Sequence, residues 1–138
     1  MATRRVLIVD DEPEVRKTLT DILRAMRYPD GLEIEGAADG REGLEAVVRQ
    51  LPDLVLLDLQ MPRMGGLALL KQIRDVGPRL PVIVISATQE NKLSTEALRS
   101  GAVAYLPKPF DPRHVEMLVT TFLDTGKPRP PKPIPGAR

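Results

Sequence analysis

The most constraining feature of this chain is an alternation. Short, wholly apolar runs are each followed by a stretch with helical periodicity. Residues 6–9, 54–57 and 82–85 are apolar throughout and rich in Val, Ile and Leu. A strand with no polar face must be covered on both sides, as in a parallel sheet between two helix layers. A weaker run lies at 102–106 and a polar-alternating one at 32–38. Between them run helical stripes. Val15, Leu19, Ile22, Leu23 and Met26 form the first, behind Pro13, a residue suited to a first helical turn. Leu44, Val47, Val48 and Leu51 form the second, stopped by Pro52. Leu69, Leu70, Ile73 and Val76 form the third, stopped by Gly77 and Pro78. Leu93, Ala97 and Leu98 form a fourth, ended by Gly101 as a left-handed cap. Val115, Leu118, Val119, Phe122 and Leu123 form the fifth, opened by Asp111 and Pro112. Strand then helix, five times over, specifies an α/β doubly wound, five-stranded parallel sheet with right-handed crossovers.

Composition narrows the function classes. The 138 residues make one domain with a self-sufficient core. With no cysteine and only His114, disulfides, cysteine-ligated zinc and a His-rich metal site are excluded. A net charge of +1 and 3% aromatics offer little to nucleic acid, so no direct nucleic-acid binding is expected. No apolar run approaches the ~20 residues of a membrane span, and a cytoplasmic location is expected. The folded domain is expected over residues 1–124. Residues 125–138 hold Lys127, Arg129, Lys132 and Arg138 among prolines and no acid, and are expected to form an extended tail without fixed structure.

In a doubly wound sheet, ligands bind beyond the carboxyl ends of the strands, at the topological switch point. The residues there are Asp10, Asp11 and Glu12 after the first run, Asp58 after the third, Ser86 after the fourth, and Lys108 and Pro109 after the fifth. Read singly, each has a plain alternative. Asp10 and Asp11 suit a helix cap, Asp58 a turn, Ser86 a cap and Lys108 a solvated surface. Read together they form a chemical set. Crowded carboxylates call for a hard cation such as Mg²⁺, which prefers oxygen ligands and bridges carboxylates to phosphate. An ammonium and a hydroxyl beside one carboxylate make a phosphoryl-accepting site.

Four segments carry a family resemblance. They are Val-Leu-Ile-Val-Asp-Asp-Glu at 6–12, Asp-Leu-Val-Leu-Leu-Asp-Leu-Gln-Met-Pro-Arg-Met-Gly-Gly at 53–66, Pro-Val-Ile-Val-Ile-Ser-Ala at 81–87 and Gly-Ala-Val-Ala-Tyr-Leu-Pro-Lys-Pro-Phe at 101–110. In these the chain resembles the receiver domain of bacterial two-component response regulators, in its single-domain, chemotaxis-regulator-like form. The resemblance implies a flavodoxin-like sheet in the order 2-1-3-4-5. It implies that Asp58 accepts a phosphoryl group from a sensor histidine kinase or phosphotransfer protein. Asp10, Asp11, Asp58 and the carbonyl of Gln60 would hold Mg²⁺. Lys108 would pair with Asp58 and then with the phosphoryl group, Ser86 would bond that group after transfer, and Tyr105 would change rotamer. The Lys108–Pro109 bond would be cis. Gln60 and Thr88 stand where the family tunes dephosphorylation.

The implied product is a signalling switch, not a turnover enzyme, acting as a monomer or a weak phosphorylation-dependent dimer. Its first helix, with Arg16, Lys17 and Thr18 turned outward, would dock the kinase. The surface of helix four, strand five and helix five would meet a downstream protein partner. No helix-turn-helix fits after Asp124, so the chain is expected to act alone. The competing class is an Mg²⁺-dependent aspartyl-phosphate phosphatase of the haloacid dehalogenase type. That family sets two aspartates two residues apart after its first strand, whereas Asp10 and Asp11 are adjacent.

Overall fold

A computed structural model describes residues 3–61, 65–87 and 91–125. The proline-rich stretch from 126 onward and Thr88 lie outside the described residues. Five strands, β1 (Arg4–Val9), β2 (Leu32–Ala37), β3 (Leu54–Asp58), β4 (Val82–Ser86) and β5 (Ala104–Pro107), form one sheet in the order β2-β1-β3-β4-β5. Every pairing is parallel. The helices are α1 (Pro13–Ala25), α2 (Gly40–Arg49), α3 (Gly66–Val76), α4 (Asn91–Arg99) and α5 (Pro112–Thr125).

The strand runs lack a polar face because each face meets its own core. Leu7, Val9, Val55, Leu57, Val82 and Val84 pack with residues of α2, α3 and α4. Their alternates Val6, Ile8, Leu54, Leu56, Ile83 and Ile85 pack with Leu19 and Leu23 of α1 and Val115, Val119 and Leu123 of α5. This is strand period two feeding two layers. The edge strand β2 keeps only Ala37 fully buried, which accounts for its polar alternation.

Two expected helix faces are displaced. In α2, Val48 is 64% exposed, and Leu51, just beyond it, is 53% exposed; the buried residues are Gly40, Gly43, Ala46 and Val47. The helix lies close to the sheet through its small residues. A Cβ on Gly43 would sit 3.1 Å from both Leu69 Cδ2 and Val9 Cγ2. In α4, Ala97 is buried while Leu98 is exposed. The start of α2 is also earlier than the apolar stripe suggests. Asp39 accepts a hydrogen bond from the Glu42 amide at 2.8 Å, and Glu42 Oε1 accepts from the Ala38 amide at 3.0 Å, a reciprocal cap.

The fifth strand begins two residues late because its expected start closes a helix. Gly101, at φ +108, turns the chain out of α4, and the Ala102 amide donates to the Ala97 carbonyl at 3.0 Å. Among the described residues, no helix is long and apolar enough to cross a membrane.

Candidate functional site

The sheet order reverses direction between β1 and β3, so the carboxyl ends of these strands open the crevice. Four of the sequence-selected residues meet there, on backbone that extends the ladder. Asp10 follows β1, with its amide on the Ala37 carbonyl at 3.1 Å. Asp58 ends β3, and the next amide, Leu59, donates to the Ile85 carbonyl at 2.9 Å. Ser86 ends β4 and accepts, through its carbonyl, the Lys108 amide at 3.0 Å. Lys108 follows β5, and its bond to Pro109 is cis.

Asp10, Asp58 and Ser86 are the buried polar residues among those described, at 0%, 2% and 1% exposure. The Lys108 ammonium reaches into them. It lies 3.2 Å from Asp10 Oδ2, 3.4 Å from Glu12 Oε1 and 3.8 Å from Asp58 Oδ2. One cation thus faces two buried carboxylates, with half-buried Asp11 beside them. Burial pushes Asp58 up to about 6. The Gln60 amide and the Lys108 charge pull against this, and the Asp10 and Asp11 charges add to it. Burial likewise raises Asp10, against the Glu12 amide and Lys108. For Lys108, burial acts to lower the ammonium, but the charges of Asp58, Asp10 and Glu12 outweigh it and hold it above the usual lysine value. Desolvation therefore governs the two acids more than the ion pairs do.

Around this centre the backbone is close. The Gln60 amide donates to Asp58 Oδ1 at 3.1 Å, and the Gln60 side chain is exposed. Ser86 Oγ donates to Gln60 Oε1 at 3.4 Å. The Tyr105 hydroxyl donates to the Ser86 carbonyl at 3.4 Å, and the ring, half-buried, packs on the α2–α3–α4 side of the sheet. Gly66 opens α3 directly against the phosphoacceptor candidate: a Cβ there would lie 2.2 Å from the Asp58 carbonyl oxygen.

Glu12, next to Asp10 and Asp11, shares Lys108. One residue at the site is not singled out by the sequence as part of it. Arg16 departs from the outward position expected of it: half-buried, it donates from Nη1 to the Asp10 carbonyl at 2.6 Å. Lys17 and Thr18 are exposed as expected. The only sequence signal for Arg16 is its place one helical turn past the acids, on the edge of the apolar stripe.

The donor set suits a hard divalent cation. Asp10, Asp11 and Glu12 each offer a carboxylate oxygen, all within 4.8 Å of one another. Asp10 Oδ2 is fully buried and, beyond its ion pair with Lys108, accepts no hydrogen bond. An oxygen so placed is suited to a cation with oxygen-rich coordination.

Comparison with known proteins agrees with this geometry. The model of the response regulator receiver domain family matches residues 6–120. Response regulator MprA of Mycolicibacterium vanbaalenii is 41% identical over 106 residues, covering 77% of this chain and 44% of that protein. Regulatory protein AtoC of Escherichia coli is 40% identical over 122 residues, covering 88% of this chain and 26% of that protein. The chain thus spans less than half the length of these two relatives. Among solved structures, a CheY-like receiver domain protein from Methanospirillum hungatei superposes with a TM-score of 0.83 at 30% identity, covering 91% of this chain and 97% of that one. The receiver domain of NtrX from Brucella abortus gives 0.79 at 34% identity, covering 87% and 98%. The phosphatase alternative gains no support from these relatives, and the separation of Asp58 from the adjacent Asp10 and Asp11 onto another strand also speaks against it. With its sheet order, its switch-point acids and its matched span, the chain belongs to the response regulator receiver domain family.

Proposed function

We propose that Asp58 accepts a phosphoryl group from the phosphohistidine of a sensor histidine kinase or phosphotransfer protein, in a Mg²⁺-dependent reaction, and that the chain then signals to a protein partner. The observation that carries this reading is the convergence of buried Asp58, the Lys108 ammonium and a separate acid cluster at the switch point of a receiver-family sheet. A carboxylate oxygen of Asp58 attacks phosphorus. The phosphorus–nitrogen bond of the donor breaks, and its electron pair leaves with the imidazole, which takes up a proton. Asp58 titrates at about 6, so it is mostly ionised at neutral pH and needs no separate base. Lys108 offsets charge on the phosphoryl oxygens. Asp10, Asp11, Asp58 and the Gln60 carbonyl would hold Mg²⁺, which would offset the repulsion between the carboxylate and an anionic phosphoryl group.

The same reading makes the chain a relay, phosphorylated once per cycle, and not a turnover enzyme. New phosphoryl oxygens draw the Ser86 hydroxyl away from Gln60, and the Tyr105 ring, tethered to Ser86, follows. The α4–β5–α5 surface then changes for its partner; exposed Leu98, Val103 and Met117 on or beside those elements supply apolar contact area. Kinase docking falls to α1, where Lys17 and Thr18 are exposed. Incubation with acetyl phosphate and Mg²⁺ followed by intact mass tests the core of the proposal. The wild type gains one phosphoryl group and Asp58→Asn does not; equal labelling of both would remove Asp58 from the role.

A further inference from the structure

Lys108 grips the acids from the β5 edge of the sheet. A second cation holds them from the β2 edge. Arg16, in the first turns of α1, donates from Nη1 to the Asp10 carbonyl at 2.6 Å. To get there its stem crosses β2 at Gly36, where a Cβ would lie 3.3 Å from Arg16 Cδ and 3.5 Å from Nε. Gly36 pairs with Ile8 in the register, and Ala37, the next residue, accepts the Asp10 amide at 3.1 Å. Besides Lys108 on its Oδ2, Asp10 is therefore held at three points: its amide by β2, its carbonyl by Arg16, and its Oδ1 by the Glu12 amide at 2.9 Å.

The carbonyl contact also constrains Asp11. The Asp10 carbonyl and the Asp11 amide and Cα share one peptide plane. Fixing that carbonyl fixes the plane from which the Asp11 side chain departs. A guanidinium–carbonyl bond is charge-assisted, and the planar fork is preorganised, so it restrains orientation as well as distance.

We propose that Arg16 is a positioning residue for the acid pair, touching neither cation nor phosphoryl group, and that Gly36 is the slot that admits it. The part of the proposal that concerns cation affinity rests on the Mg²⁺ site proposed above; the part that concerns the backbone does not.

The test uses the full chain. Amide hydrogen exchange is followed in the metal-free protein, and Mg²⁺ alone is then titrated by NMR. Arg16→Met keeps the stem and removes the donors. It should speed exchange at the Asp10 and Glu12 amides, bonded to the Ala37 carbonyl and to Asp10 Oδ1, about tenfold, the size of one lost charge-assisted hydrogen bond, and leave the Leu56 and Val84 amides unchanged. It should weaken Mg²⁺ binding about tenfold, as loss of an outer-shell contact does. Arg16→Lys should restore part of both. Gly36→Val keeps Arg16, closes its slot and suits a strand, so it should reproduce both effects. The double variant should be no worse than either single one. Wild-type exchange at Asp10 and Glu12 in Arg16→Met, additive effects in the double variant, or a uniform rise reaching Leu56 would each overturn the clamp. A wild-type chain that binds no Mg²⁺ would overturn the cation site, while the exchange data still decide the role of Arg16.

Discussion

Replacing Asp58 with Asn should stabilise the metal-free protein, and should do so only above mildly acidic pH. Asp58 is 2% exposed, and burial lifts its carboxyl from 3.8 to about 6. For an acid, a folded-state value above the unfolded one means that the folded chain keeps a proton the unfolded chain has lost. Stability from this group is therefore highest below about pH 4 and falls as pH rises to about 6, beyond which the loss is complete. A shift of about 2 units corresponds to about 3 kcal/mol at roughly 1.4 kcal/mol per unit. Asn carries no titrating proton and keeps an acceptor for the Gln60 amide, so it escapes the loss. The contribution of Asp10 is present in both proteins and largely cancels.

Urea denaturation followed by circular dichroism suits a chain without tryptophan. Measured at pH 4, 6 and 8 without metal, the two proteins should coincide at the lowest pH. They should diverge to about 3 kcal/mol in favour of Asp58→Asn at the highest, or roughly 10 °C in melting temperature. The opposing view is that Lys108, 3.8 Å away, makes Asp58 a stabilising ion-pair partner. That view gives the opposite sign: Asp58→Asn would be the weaker protein at pH 8. Such a result would refute the reasoning, and so would a gap that does not change with pH.

Mg²⁺ at about a hundred times its dissociation constant should stabilise the wild type by about 2.7 kcal/mol, and Asp11→Ala should lose most of that shift in a thermal melt. Lys108→Ala should move the Asp58 carboxyl above 6, because the lowering charge is gone; carboxyl ¹³C shifts against pH report it, and an unmoved midpoint would deny the coupling. Gly66→Ala must displace either α3 or the Asp58 carbonyl, which a Cβ would approach to 2.2 Å, so it should cost more than about 2 kcal/mol in urea denaturation and slow acetyl-phosphate labelling.

How much of the molecule is legible in its sequence depends on the range of the interactions. The runs at β1, β3 and β4 are legible because both faces are covered, and burial on both faces leaves no polar residue to blur the pattern. The buried face of α2 is not, because its contact runs through Gly43 and Ala46, residues too small to register as an apolar stripe. The start of β5 is obscured because Ala102 serves the α4 cap. At the site, Asp10, Asp58, Ser86 and Lys108 can be placed because strand ends converge by topology alone. Arg16 cannot, since its contact depends on a slot left by Gly36, 20 residues onward on a different strand. A long cation on a helix reads as solvated until the strand beside it is known.

These two kinds of residue also divide the work of the site. The strand-end groups bring charge into a place where the sheet excludes water, and the two buried acids are raised as a result. Left alone, such a cluster lowers the stability of the fold. It is sustained by the apolar cores on both faces of the sheet, in which β3 and β4 are buried along their whole length. Arg16 and Lys108 then hold the strained groups at fixed positions from opposite edges, and neither satisfies the Asp10 Oδ2 lone pairs fully. A buried carboxylate that is held in place and under-coordinated gains more from an arriving cation than a solvated one would. On the proposed reading, the destabilisation that comes from burying Asp58 is part of what a bound cation would relieve.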